Sequence, residues 1–106
     1  MAKPLRVLIV DDSEADVESL DRMLRKQFGG SVQITQAESG HEALVRLDDQ
    51  HFDIALVDYR LPDMDGLAVL DELTKTHADV ATVLLTGQGS ERVAAQAIQR
   101  GARDYL

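Results

Sequence analysis

Leu5-Arg6-Val7-Leu8-Ile9-Val10-Asp11-Asp12-Ser13 is the stretch on which the fold turns. Leu5 to Val10 is an apolar run broken only by Arg6, and it reads as a buried strand. It stops abruptly at two acids. Ser13 is a good helix N-cap, and Asp16 three residues later completes a box-like capping pattern. Val17, Leu20, Leu24 and Phe28 then follow at helical spacing, which places all four on the inner face of a helix. Gly29-Gly30 ends it. A buried strand running straight into a capped amphipathic helix is the first half of a βα unit. Here two carboxylates sit at the carboxyl end of the strand.

The same unit recurs along the chain. Val32-Gln33-Ile34-Thr35 alternates apolar and polar residues, as an edge strand with one wet face does. Ser39-Gly40-His41-Glu42 is a capping box that opens a second helix, with Leu44 and Leu47 inside. Phe52 to Val57 is the next apolar run, a central strand that ends at Asp58. Pro62 keeps the following loop, Tyr59 to Asp65, from becoming helix. Leu67, Leu70 and Leu73 face inward on a third helix. Val80 to Leu85 is a fourth strand ending at Thr86. Ser90 caps a fourth helix with Val93, Ala94, Ala97 and Ile98 inside, and Gly101 terminates it. Asp104-Tyr105-Leu106 begins a fifth strand. Strand and helix in strict alternation mean a parallel sheet with helices on both faces.

Composition excludes several classes of function. One domain is expected from 106 residues, of which 44% are hydrophobic and 4% aromatic. With no cysteine, neither a disulfide scaffold nor a thiolate metal site can form. The formal net charge of -8 repels nucleic-acid phosphates and anionic lipid, so direct nucleic-acid or membrane binding by this chain is not expected. The apolar run Val7 to Val10 is too short for a signal peptide or a membrane span. The expectation is a soluble cytoplasmic protein.

In open parallel sheets the site lies at the carboxyl ends of the strands. Three strand ends here carry polar groups: Asp11 with Asp12, then Asp58, then Thr86. Carboxylates brought together repel one another, and a cation resolves the conflict. Hard oxygen ligands suit Mg²⁺. One of the three can also attack a phosphoryl group, because Asp forms acyl phosphates. A hydroxyl at Thr86 can then hydrogen-bond a phosphoryl oxygen. A single acidic strand end would read as a solvated loop; three together read as a site.

These residues resemble a response-regulator receiver domain over essentially the whole chain. The matching pieces are Val7-Leu8-Ile9-Val10-Asp11-Asp12, Leu56-Val57-Asp58-Tyr59-Arg60-Leu61-Pro62-Asp63-Met64-Asp65-Gly66, Leu85-Thr86-Gly87 and Gly101-Ala102-Arg103-Asp104-Tyr105. Each is weak alone, and the four in order are specific. The resemblance implies an α/β doubly wound parallel sheet with flavodoxin-like strand order 2-1-3-4-5. It also implies that Asp58 accepts a phosphoryl group from a sensor histidine kinase or a His phosphotransfer protein. Asp12, Asp58 and the backbone carbonyl of Arg60 would bind Mg²⁺ directly, and Asp11 through water. Thr86 would move toward the phosphoryl group and Tyr105 would swing inward behind it, switching an output domain or effector protein. Gly87 would leave room for the phosphoryl group. Such a domain is not a classical enzyme; it catalyses only its own phosphorylation and dephosphorylation.

One departure stands out. Receiver domains carry a Lys at the end of the fifth strand and a last helix, and neither is in these 106 residues. Residues 1–106 therefore read as a receiver domain incomplete at its C-terminus, with self-association expected across the uncovered sheet. Other signals weigh less. Asp63-Met64-Asp65-Gly66 reads as a turn opening a helix, because Leu61 stands where a calcium loop needs its first acid. Gly87-Gln88-Gly89 reads as a turn. His41, His51 and His77 are scattered and read as exposed. Among enzymes, a haloacid-dehalogenase-type phosphatase wants a second acid where Arg60 stands. A flavodoxin-like carrier would find Asp11-Asp12-Ser13-Glu14 repelling its flavin phosphate. A non-phosphorylated interaction domain is the third alternative.

Overall fold

The computed structural model describes residues 3–86 and 91–106. Five strands and four α-helices alternate through them. They are β1 (Leu5–Val10), α1 (Glu14–Phe28), β2 (Val32–Ala37), α2 (Gly40–Asp49), β3 (Ile54–Asp58), α3 (Gly66–Thr76), β4 (Ala81–Leu85), α4 (Glu91–Gln99) and β5 (Asp104–Tyr105). A short 3₁₀ turn, Gly29–Ser31, joins α1 to β2. All strands are parallel, in the order β2-β1-β3-β4-β5. That order makes β2 an edge, as its alternating sequence requires, and puts β1 and β3 side by side at the centre.

The two faces follow from the period-2 alternation of the strands. Leu8 and Val10 of β1, Ala55 and Val57 of β3 and Leu84 of β4 share one core with Leu47 of α2, Leu70 and Leu73 of α3, and Ala97 of α4. Val7, Ile9 and Leu56 face the other way, onto Leu24, Val17 and Leu20 of α1. So α2, α3 and α4 cover one face and α1 covers part of the other. Phe52 is fully buried although it precedes β3 rather than lying in it.

The caps expected at Ser13 and Ser39 form. Ser13 Oγ accepts from the Asp16 amide and Ser39 Oγ from the Glu42 amide. Asp65 caps α3 by accepting from the Ala68 amide at 2.9 Å. The expected cap of α4, Ser90, lies outside the described residues, as does Gly87. Gly101 ends α4 in a left-handed conformation, with φ of 102°.

Two inner-face assignments are corrected. Phe28 is 45% exposed and Ile98 is 46% exposed. Both lie in the last turn of their helices. Helical spacing defines a stripe, but it does not say where the packing partner stops. His77 is corrected as well: its side chain is only 20% exposed, beside Asp48 at the end of α2.

Candidate functional site

Adjacent placement of β1 and β3 brings their carboxyl ends together. Asp11 follows the last residue of β1 and Asp58 is the last residue of β3. One carboxylate oxygen each from Asp11, Asp12 and Asp58 lies within 4.8 Å of the others. The three differ in exposure: Asp11 is buried at 2%, Asp58 is half-buried and Asp12 is exposed.

Asp11 is locked in place by the turn into α1. Its amide donates to the Ala37 carbonyl at 2.9 Å, and its Oδ1 accepts from the Ser13 amide at 2.9 Å. Its carbonyl accepts from Gln36 Nε2. Asp58 is held through the start of its loop: the Tyr59 amide donates to the Leu85 carbonyl at 3.0 Å, and the Gly66 amide to the Tyr59 carbonyl at 2.7 Å. Gly66 allows that closure. A Cβ there would stand 2.6 Å from the Asp58 carbonyl oxygen and 2.9 Å from Tyr59 Cα.

Burial pushes the carboxyls of Asp11 and Asp58 above the ordinary carboxylate value. For Asp58 the Arg60 and Tyr59 amides pull the other way, while the negative charges of Asp16 and Asp12 add to the rise. Among the described residues no Lys or Arg side chain pairs with any of the three carboxylates. Hard oxygen donors, mutual repulsion and the lack of a protein cation fit a small divalent ion such as Mg²⁺.

Asp16 was not singled out as a site residue from sequence, beyond its place in the cap. It lines a cavity of about 250 Å³ with Asp11, Ser19, Leu20, Asp58 and Leu85. Its spacing from Ser13 signalled a cap, and nothing in the sequence signalled its approach to Asp58.

Thr86 follows β4, on the other side of Asp58 from β1. Its hydroxyl donates to the Leu106 carbonyl at 2.9 Å. Tyr105, in β5 opposite Leu84, is 46% exposed. Arg60 is exposed and forms an isolated antiparallel bridge with Asp65. The site therefore gathers Asp11, Asp12 and Asp58, flanked by Thr86 and the Arg60 backbone, while Tyr105 stands outward.

A family model for the response regulator receiver domain matches residues 7–106. The chain belongs to that family. Receiver domains of two-component response regulators are phosphorylated on an aspartate with Mg²⁺, and this chain is such a domain rather than a classical enzyme. It is 41% identical over 106 aligned positions to the response regulator MprA of Mycolicibacterium vanbaalenii, covering 97% of this chain and 43% of MprA. It is 34% identical over 100 positions to the transcriptional regulatory protein ZraR of Salmonella typhimurium, covering 94% of this chain. It spans only 22% of ZraR's length. Among solved structures, a response regulator from Burkholderia pseudomallei superposes with a TM-score of 0.84 at 31% identity, over 96% of this chain and 58% of that one. That protein was solved with a phosphorylated aspartic acid, a calcium ion and citrate.

Proposed function

We propose that Asp58 is the phosphoryl acceptor of this receiver, fed by a sensor histidine kinase or a His phosphotransfer protein. The observation that carries this is the position of Asp58. It is half-buried at a strand end, one carboxylate among three, and among the described residues no Lys or Arg side chain pairs with it. Such a group is held as a nucleophile rather than as half of an ion pair.

In the transfer, an Asp58 carboxylate oxygen attacks phosphorus and forms the P–O bond of an acyl phosphate. The P–N bond to the donor imidazole breaks, and its electron pair leaves with the His. Asp11, Asp12, Asp58 and the Arg60 carbonyl are the groups that would hold Mg²⁺. When bound, the ion supplies positive charge against the phosphoryl oxygens. Asp11 is kept in place for this by the Ser13 and Ala37 contacts. Thr86 offers its hydroxyl to the attached phosphoryl group, and Tyr105 turns inward as Thr86 moves. Output follows through a domain or effector that senses this face, in the cytoplasm where such regulators work. Loss of the phosphoryl group is hydrolysis at the same site, catalysed by the domain itself.

The test is intact-protein mass after incubation with acetyl phosphate and Mg²⁺. One phosphoryl group is expected, with none in excess EDTA. Equal labelling with and without the ion would contradict the reading, as would turnover of unrelated phosphate esters.

A further inference from the structure

The loop between β3 and α3 is tied to a second element by a residue outside the three-carboxylate cluster. Asp63 Oδ1 accepts from the Gly40 amide at 2.8 Å, and Asp63 Oδ2 from the His41 amide at 2.9 Å. Those are the first two residues of α2. Both oxygens of one carboxylate thus engage a helix start, where free N–H groups and the helix dipole favour negative charge. These amide bonds hold the Asp63 carboxyl below the usual carboxylate range. Met64 reinforces the junction. A Cβ on Gly40 would stand 2.5 Å from Met64 Cγ and Sδ, so the glycine lets Met64 lie directly against the helix start.

The same short loop carries the Arg60 backbone past Asp58. The Arg60 and Tyr59 amides face the Asp58 carboxylate, and the Arg60–Asp65 bridge closes the loop on itself. Apart from the Tyr59 amide's bond to the Leu85 carbonyl at the loop's start, these fixings are local. Asp63 supplies a fixing that reaches a different helix, 23 residues away in sequence.

We infer that Asp63 is a positioning residue for the phosphoryl site: by fastening the loop to the first turn of α2, it holds the Arg60 backbone in register with Asp58. The inference rests on the reading above, in which the Arg60 carbonyl joins the three carboxylates around Mg²⁺. Coupling of this kind is reciprocal. If the fastening helps the ion bind, ion binding must tighten the fastening, and the start of α2 responds to what happens at Asp58.

Two measurements on the whole chain test this: the Mg²⁺ dissociation constant by calorimetry, and amide shifts by NMR during the titration. In the parent, Asp12 and Asp58 should respond, and so should Gly40 and His41. Asp63→Ala should weaken Mg²⁺ binding roughly tenfold, the loss typical when a group that orients a ligand is removed. The Gly40 and His41 responses should disappear. Asp63→Asn keeps one acceptor oxygen and should fall between the two; it also stands in if Asp63→Ala fails to fold. Asp53→Asn is the structural control, because Asp53 makes a similar carboxylate-to-amide bond, to Arg6, away from the site. Its Mg²⁺ affinity should match the parent's. A normal parent titration with unchanged affinity in the Asp63 variants overturns the inference alone. A parent with no response at Asp12 and Asp58 overturns the metal reading and the inference with it.

Discussion

The Thr86 hydroxyl and the Thr86 amide donate to one oxygen, the Leu106 carbonyl, at 2.9 and 2.7 Å. The hydroxyl is therefore engaged toward the end of β5 and not toward Asp58. For Thr86 to meet a phosphoryl oxygen on Asp58, it must give up the Leu106 contact. An ionised phosphoryl oxygen is a strong, charge-assisted acceptor that can compete for the hydroxyl. In the proposed reading this exchange would link the acceptor to the strand that carries Tyr105, which is half exposed in the present arrangement.

Thr86→Ala should therefore separate capture from response. If the hydroxyl acts after the phosphoryl group has arrived, as proposed, the variant should still gain one phosphoryl group. The shift of the Tyr105 ring signals on phosphorylation should be lost in the variant and kept in Thr86→Ser. A Thr86→Ala protein whose Tyr105 signals move as in the parent would break the proposed link.

The Asp58 carboxylate is held at some cost to stability. Burial first, then the charges of Asp16 and Asp12, disfavour its ionised form. Asp58→Asn keeps the shape and removes the charge, so it should melt a few degrees higher than the parent at neutral pH and low salt. Mg²⁺ should stabilise the parent by about 1.4 kcal/mol at ten times its dissociation constant, and should do much less for the variant. Calorimetric melts with and without the ion decide this. A variant less stable than the metal-free parent would contradict it.

Gly66 sits where the loop turns back beneath Asp58. A Cβ there would meet the Asp58 carbonyl oxygen at 2.6 Å, Leu84 Cδ1 at 2.8 Å and Tyr59 Cα at 2.9 Å. Two of the three are backbone atoms and cannot swing away. Gly66→Ala should destabilise the domain by about 1–3 kcal/mol, the usual cost of overpacking. Urea denaturation measures it; a change below about 0.5 kcal/mol would show that the loop yields easily.

The lowered Asp53 carboxyl sets the sign of one pH-dependent difference, between the parent and Asp53→Asn. The Arg6 amide donates to its carboxylate at 2.9 Å and lowers its pKa in the folded state. Its stabilising contribution is present above the unfolded carboxylate value, about 3.9, and fades as pH falls through the lower folded value. Asp53→Asn keeps an acceptor without the charge. The parent should melt above the variant at pH 7, and the gap should close below about pH 4. The raised carboxyls Asp11 and Asp58 work in the opposite sense, but they are common to both proteins and cancel in the difference. A gap that stays constant down to pH 2 would refute the assignment.

Legibility varied with how local the cause was. β1 could be read to the residue, because its apolar run is bounded by Pro4 and by Asp11. The caps at Ser13 and Ser39 could be read because a cap and its partner are three residues apart, whereas Asp65 was read only as part of a turn opening a helix. The cluster of Asp11, Asp12 and Asp58 followed from topology, since parallel βα units place strand ends together. Phe28 and Ile98 were misplaced because spacing reports a helix face and not the extent of the sheet beneath it. Asp63 was invisible because an acid in a turn looks solvated, and its partners are 22 and 23 residues away. The Thr86 contact with Leu106 depends on the register of β4 against β5, which no local pattern encodes.

Whether residue 58 carries the phosphoryl group is decided by borohydride trapping. The protein is treated with acetyl phosphate and Mg²⁺, and the acyl phosphate is then reduced to the alcohol by borohydride. Peptide sequencing by mass spectrometry locates the reduced side chain. Homoserine is expected at position 58 alone, dependent on Mg²⁺, with no reduced residue in Asp58→Asn. Homoserine at position 11 or 12 in the parent, or labelling of Asp58→Asn to the parent's extent, would contradict it.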